Sequence, residues 1–295
     1  MTSGTAVRVV CVTYHPGPEL EDFAESLRAA TASPTELVIV DNGADHTVAD
    51  DVARRHGARL VVPGRNLGYG AAANLGARGA GQPWLVVANP DIVWHEGALD
   101  LLVEAGERAG AGAVGPLLLN QDGTPYPSAR AFPSLVQGIA HALLARVWPQ
   151  NPWTRAYHRG TGDGVPEGAE RRPDWLSGAC LLLRREAFEA VGGFDEGYFM
   201  FFEDLDLGER LGRRGWANVY APSARVTHVG GASWRERPAP MIRAHHTSAV
   251  RYLTRRYHNW YQWPLRVALR AGLGVRQALE LRRAAKGPPA TDQRT

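Results

Sequence analysis

Along its first half the chain alternates short unbroken apolar runs with segments of helical period. Residues 7–14, 37–40, 59–62 and 84–88 read as buried strands, because aliphatic and β-branched residues without polar alternation suit a sheet covered on both faces. Between them the spacing predicts a helix from Pro18, a residue that fits a first helical turn, to about Ala30. An Ala-rich helix is expected to about Arg78 and another from about Glu96 to Ala109. Strands alternating with helices predict an α/β fold built on a parallel sheet.

The pattern loosens after Gly115. Asn120-Gln121-Asp122-Gly123 is a hairpin signal, and residues 124–172 are rich in Pro, Gly and Trp, with a short helix expected over 135–147. This stretch reads as an acceptor-side insertion or loop. Regular pattern resumes with a strand over 175–183 that leads into a helix, a next helix opened by the carboxylate cluster and running to about Arg214, and short strands over 216–220 and 224–229. Helical stretches over 240–258 and 264–286 close the chain. The expected organisation is a catalytic domain over 1–235, a basic helical segment over 236–286 and a disordered tail over 287–295.

Composition adds three constraints. With 295 residues, 44% hydrophobic and 21% charged, the chain is an ordinary globular protein with ample core. Cys11 and Cys180 both lie in apolar runs, so two buried reduced thiols are expected, in keeping with a reducing cytoplasm. The first residues carry no basic leader and no apolar run approaches bilayer length, so a protein without signal peptide or membrane span is expected. The formal charge of +3 is uneven: residues 250–286 hold nine Arg or Lys against Glu280 alone, which leaves the rest net acidic. Arg interspersed with Trp260, Tyr261, Trp263 and Leu265 is the composition of a helix lying on an anionic membrane surface. Nucleic-acid binding is not expected of a chain whose body is acidic.

Several short motifs could carry chemistry. Glu203-Asp204-Leu205-Asp206 sets three carboxylates within four residues, behind Tyr198, Phe199, Met200, Phe201 and Phe202. Like charges this close need a partner cation or a working proton, although Asp206 is also explained by an ion pair with Arg210 one helical turn on. Asp91 follows the 84–88 strand, at the end where open α/β sheets bind ligands; it could hold Mg²⁺ or Mn²⁺ on a diphosphate, or cap a helix. Asp41 and Asn42 could read a nucleobase or ribose, or simply close an Asx-turn. Gly68-Tyr69-Gly70-Ala71-Ala72-Ala73 fits a dinucleotide fingerprint but follows the third strand and lacks the later acidic residue, so it does not read as a NAD site. Its glycines allow close backbone approach, and Arg65 could meet a phosphate. His228, at a strand end before Gly230-Gly231, is structural or a metal ligand.

Taken in order, Asp41-Asn42-Gly43, Arg65-Asn66-Leu67-Gly68, Asn89-Pro90-Asp91, Trp175-Leu176-Ser177-Gly178, Glu203-Asp204-Leu205-Asp206 and His228-Val229-Gly230-Gly231 resemble the motif series of the inverting family 2 glycosyltransferases, which have the GT-A fold. The resemblance covers about residues 7–235. Tyr126-Pro127-Ser128-Ala129-Arg130 and Phe194-Asp195-Glu196 are most similar to the actinobacterial members that use dTDP-rhamnose. It implies a nucleotide pocket lined by Thr13, Asp41, Asn42, Arg65, Asn66, Gly68, Asn89 and Asp91. It implies Asp204 as general base with Glu203 beside it, Trp175, Ser177 and Gly178 on the acceptor side, and Asp91 with His228 as metal ligands. Asn89 stands where the family's first metal-motif carboxylate is found, which puts the full ligand set in doubt. The implied reaction is rhamnose transfer from dTDP-rhamnose to a polyprenyl-diphosphate-linked GlcNAc, at the inner face of the cell membrane. Another hexose and lipid-linked acceptor, or a silent nucleotide-sugar-binding protein, are the competing readings. A glycoside hydrolase would need a second, opposed carboxylate.

Overall fold

The computed structural model describes residues 6–132, 168–230 and 238–285. They form two compact units: Glu196–Phe202 group with the described residues beyond 237, and the remainder forms the first unit.

The first unit runs β1 (Val7–Thr13), α1 (Glu19–Ala30), β2 (Thr35–Asp41), α2 (Thr47–His56), β3 (Arg59–Val61), α3 (Tyr69–Ala77), β4 (Trp84–Ala88), β5 (Ile92–Trp94), α4 (Ala98–Ala109) and β6 (Ala111–Leu119). It continues with β7 (Pro125–Tyr126), β8 (Ala129–Arg130), β9 (Trp175–Leu176), β10 (Cys180–Arg184), α5 (Arg185–Ala190), α6 (Glu203–Arg213) and β11 (Ala217–His228). Among the described residues, nine strands make one sheet in the order β3-β2-β1-β4-β10-β6-β11-β5, with β7 on β6. Successive side chains of β1 take opposite faces. Val7, Val9 and Cys11 pack with Leu20 and Phe23, while Val10 and Val12 pack with Ala72 and Ala73. Both faces are therefore core, which is why the strand reads as an unbroken apolar run.

The sheet departs from the all-parallel expectation at its centre. β1 to β4 are parallel, but β10 runs antiparallel to both of its neighbours, β4 and β6. The strand expected over 175–183 is also interrupted. At Ser177-Gly178-Ala179 the backbone leaves the ladder: the Ser177 N–H donates to Ser128 O (2.7 Å) and the Gly178 N–H to Asp204, so β9 pairs with β8 in a small separate sheet. The two short strands expected over 216–229 are one strand, β11, whose register against β6 shifts between Ala221 and Arg225. Pro222, which has no N–H to give the ladder, lies in that bulge. The helix expected over 135–147 lies outside the described residues.

Cys11 and Cys180 are both buried and both flank Ala88, one on β1 and one on β10. Two strand spacings separate them, about 10 Å and beyond disulfide reach. Burial raises both thiols well above their ordinary pKa, with Asp91 adding to the shift at Cys11.

The second unit is helical. α7 (Pro238–Arg256) and α8 (Trp263–Ala285) are joined through a single 3-10 turn, Trp260–Gln262, which Asn259 and Gln262 close with a capping box. The segment before Glu203 packs against α7: the Ser248 hydroxyl donates to Met200 O (2.7 Å), Phe202 lies against His245 and Tyr252, and the Arg251 guanidinium covers the Tyr198 ring. No helix among the described residues is long and apolar enough to cross a membrane.

Candidate active site

The carboxyl ends of β1, β2 and β4 lie side by side in the sheet, and their following turns hold the first group of candidate residues. Asp41 is fully buried. Its Oδ1 accepts from the Thr13 hydroxyl (2.9 Å) and the Gly43 amide (3.0 Å), and its Oδ2 lies 2.6 Å from His46 Nδ1. Asp41 therefore shapes the connection after β2 through the Gly43 turn and the His46 ring, since both of its own oxygens are engaged. Asn42 is the pin of the neighbouring loop: its amide donates to Gly68 O and its carbonyl accepts from the Leu67 N–H. Asn66 caps the Gly68 N–H at 2.9 Å, and Arg65 is exposed at the loop's edge. The glycines that follow serve packing. A Cβ on Gly70 would stand 2.9 Å from Phe194 Cβ, so α3 can approach Phe194 this closely only without a side chain there.

A second group forms where β5 pairs with β11. His228 is in register with Ile92, and the Val229 N–H donates to Asp91 O at 2.8 Å. This pairing sets His228 Nε2 3.3 Å from Asp91 Oδ1 and 3.5 Å from the Asn89 amide. Asp91 Oδ1 is buried without a hydrogen-bond partner. An orphaned carboxylate oxygen facing an imidazole nitrogen suits a divalent cation, since the carboxylate would otherwise leave a lone pair unmatched. It is a pair and not a cage: no cluster of three or more His, Cys, Asp or Glu that could hold a metal occurs among the described residues.

The third group is at the start of α6. Phe201 and Phe202 have φ of 67° and 68°, a left-handed conformation costly for bulky residues and typical of functional turns. Directly after them, half-buried Asp204 accepts from the Gly178 N–H at 2.9 Å and from its neighbour Leu205 at 2.8 Å. Burial raises its pKa; the two amides and the nearby Arg130 charge offset part of that rise. Glu203 is buried more deeply, with Oε2 unpartnered, and burial together with the Asp204 charge pushes its carboxyl up to about 8. Two buried carboxyls this close resist carrying two charges, and the two amides that meet Asp204 make it the better seat for the charge that remains. Asp206 does separate work: it meets Arg210 at 2.6 Å, and Arg210 also donates to Val191 O and Gly193 O, fixing the helix to the preceding turn.

Antiparallel pairing of β10 with β4 joins these groups. The Asn89 N–H donates to Ala179 O (3.0 Å), and the adjacent Gly178 binds Asp204, so two backbone links connect the Asp91 and Asp204 groups across the carboxyl end of β4. Trp175 and Ser177 lie on the same connection; the Trp175 indole donates to Ala131 O, and Ser177 Oγ accepts from Ala179. Several neighbours lie in the short motifs Gly68-Tyr69-Gly70 and Tyr126–Arg130 without having been assigned a role from sequence. Tyr69 donates to Gly178 O at 2.5 Å, on the residue whose N–H meets Asp204. Tyr126 sets its ring edge-on to His228, with 5.8 Å between centroids, and Arg130 lies over both Tyr126 and Trp175. The sequence marked Tyr126–Arg130 and Trp175 by motif, with nothing to show that they converge.

The family model of glycosyltransferase like family 2 matches residues 5–247. This chain belongs to that family. The family 2 glycosyltransferase is 48% identical to the N-acetylglucosaminyl-diphospho-decaprenol L-rhamnosyltransferase of Mycobacterium tuberculosis (strain ATCC 25618 / H37Rv), over 93% of this chain and 92% of that protein. It is 25% identical to the rhamnosyltransferase WbbL of Escherichia coli K12, over 80% and 89% of the two chains. A mannosyltransferase from Pyrobaculum calidifontis, solved with GDP-Man and Mn²⁺, superposes with a TM-score of 0.60 at 17% identity, covering 97% of this chain and 77% of that one. GalNAc-T7, solved with UDP, GalNAc and Mn²⁺, gives 0.57 at 16% identity over 78% and 45%. These likenesses agree with the GT-A fold expected from the motif order.

Proposed function

We propose that this glycosyltransferase transfers L-rhamnose from dTDP-β-L-rhamnose to GlcNAc-diphosphoryl-polyprenol, with inversion, as a step in building the cell-wall linker to arabinogalactan. The observation that carries the reading is a carboxyl group, Asp204, held by two backbone amides, in a chain nearly half identical along its length to an enzyme named for this transfer. Single displacement needs one base for the acceptor hydroxyl and one means of neutralising the leaving diphosphate. Asp204 takes the first role. Glu203 is the immediate neighbour of Asp204 at one helix start and does not stand across a substrate from it, so hydrolysis through two opposed carboxylates is disfavoured.

Thr13, Asp41 and Asn42 shape the nucleotide pocket, and Arg65, Asn66 and Gly68 form its loop. Asp91 and His228 are the residues we assign to Mg²⁺ or Mn²⁺, with Asn89 orienting the imidazole. Bound there, the cation would supply charge neutralisation to the leaving diphosphate. Trp175, Ser177 and Gly178 face the acceptor. The C-terminal helices are proposed to rest on the anionic cytoplasmic surface of the membrane, where a polyprenyl acceptor resides: Trp260, Tyr261 and Trp263 are 83%, 61% and 59% exposed beside Arg266 and Arg270. The test is to incubate the purified protein with a panel of dTDP- and UDP-sugars and a short-chain prenyl-diphosphoryl-GlcNAc, and to read product masses. A deoxyhexose added only from dTDP-rhamnose is expected; product from another donor instead would redirect the assignment.

A further inference from the structure

Arg130 ends β8, directly opposite Trp175 of β9. Its guanidinium carbon lies 5.1 Å from the Trp175 ring centroid and 5.7 Å from that of Tyr126. Its Nε donates to Pro127 O (2.7 Å) and its Nη2 to the Tyr126 hydroxyl (3.4 Å). Two of five N–H groups are thus engaged, both Nη1 donors are open, and no carboxylate pairs with it among the described residues. The contrast with Arg8, Arg184, Arg185 and Arg210 of the same unit, each ion-paired, is informative. A guanidinium fixed in plane by two rings and left without a counter-ion is preorganised for a bidentate oxyanion.

We propose that Arg130 binds the diphosphate of the lipid-linked acceptor, with Trp175 and Tyr126 holding its plane. This deepens the function proposed above and rests on it. Two diphosphates take part in that reaction. The donor's belongs to the Asp91–His228 pair. The acceptor's is one pyranose ring away from the hydroxyl that Asp204 deprotonates, and Arg130 is near enough to Asp204 for its charge to be felt there. Arg130 would therefore select acceptors that carry a diphosphate and fix the reach of the sugar hydroxyl to the base.

The experiment compares the full chain with Arg130→Gln and Arg130→Lys, using dTDP-rhamnose with either prenyl-diphosphoryl-GlcNAc or a diphosphate-free alkyl GlcNAc glycoside of matched length. Arg130→Gln should raise the acceptor KM at least about tenfold, the scale of one lost charge-assisted contact, with the donor KM little changed. It should also shrink the kcat/KM advantage of the diphosphate acceptor by the same factor. Arg130→Lys, which keeps the charge and loses the fork, should fall between. A rise confined to the donor KM, or equal losses on both acceptors, would overturn the proposal. Calorimetry with inorganic pyrophosphate in an Asp91→Ala background needs no turnover: binding should weaken when Arg130→Gln is added, and unchanged binding contradicts the proposal. Failure of the underlying reading would show instead as a wild-type protein that makes no product from either acceptor.

Discussion

The backbone N–H of Gly178 donates to the Asp204 carboxylate at 2.9 Å, and Gly178's own carbonyl accepts from the Tyr69 hydroxyl. The Asp204 carboxylate is thereby fixed from a strand connection that lies 26 residues away in sequence. One amide stabilises the carboxylate form and aims its other lone pairs, while Tyr69 holds the residue that supplies that amide.

Asp204→Asn should keep donor binding and lower kcat by at least about 10²-fold, the lower end for removing a general base. Steady-state kinetics, with circular dichroism as the control for folding, checks this. Near-normal turnover in a folded variant would remove Asp204 from the mechanism. Tyr69→Phe should lower kcat by less, leave both KM values close to wild type and shift the acid limb of the pH profile, because it loosens the base without touching substrate.

Glu203→Gln should retain most activity at pH 7, because the native side chain already carries a proton there. Its raised pKa means the folded state binds a proton that the unfolded state has released. Stability is therefore full below the ordinary carboxylate range and declines as pH rises toward about 8. Melting temperatures of the wild type across about pH 5 to 8 should fall with pH, and the Gln variant should flatten the trend. Parallel slopes in the two proteins would show that Glu203 is not the group responsible.

Asp91→Ala should chiefly raise the donor KM, and His228→Ala should give a milder form of the same defect. EDTA should abolish activity, and Mg²⁺ or Mn²⁺ should restore it. Full activity in EDTA would leave neutralisation of the leaving group to Arg65 or another cation.

Much of this was legible in the chain. β1, β2 and β4 are buried on both faces, so their apolar runs declare them, and Asp41, Asn89 and Asp91 follow from standing at their ends. The Asp206–Arg210 pair was readable from helical spacing alone. What could not be read is what long-range pairing decides. The antiparallel insertion of β10 is set by partners on β4 and β6, and its run Cys180-Leu181-Leu182-Leu183 is equally apolar in either direction. The contacts of Tyr69, Arg130 and Tyr126 arise only from that pairing and from the break at Gly178. His46 likewise has no sequence mark; it matters because it meets the second oxygen of a buried Asp41.

The exposed aromatics near the second helical turn give a further test. Co-sedimentation with anionic vesicles should exceed that with neutral ones and weaken at high salt, since each Arg near an anionic surface adds about 1 kcal/mol. A variant with Trp260→Ser and Trp263→Ser should lose most of the salt-resistant part. Equal binding to both vesicle types, or none to either, would leave these helices as a structural cap.

The most direct measurement is the anomeric configuration of the product made from dTDP-β-L-rhamnose, read by NMR on the isolated prenyl-diphosphoryl disaccharide. One base carboxylate opposite a cation-neutralised diphosphate dictates a single displacement, and so an α-L-rhamnosyl linkage on GlcNAc. A β-linked product would require two displacements through a covalent intermediate, and would contradict Asp204 as a base that acts on the acceptor alone.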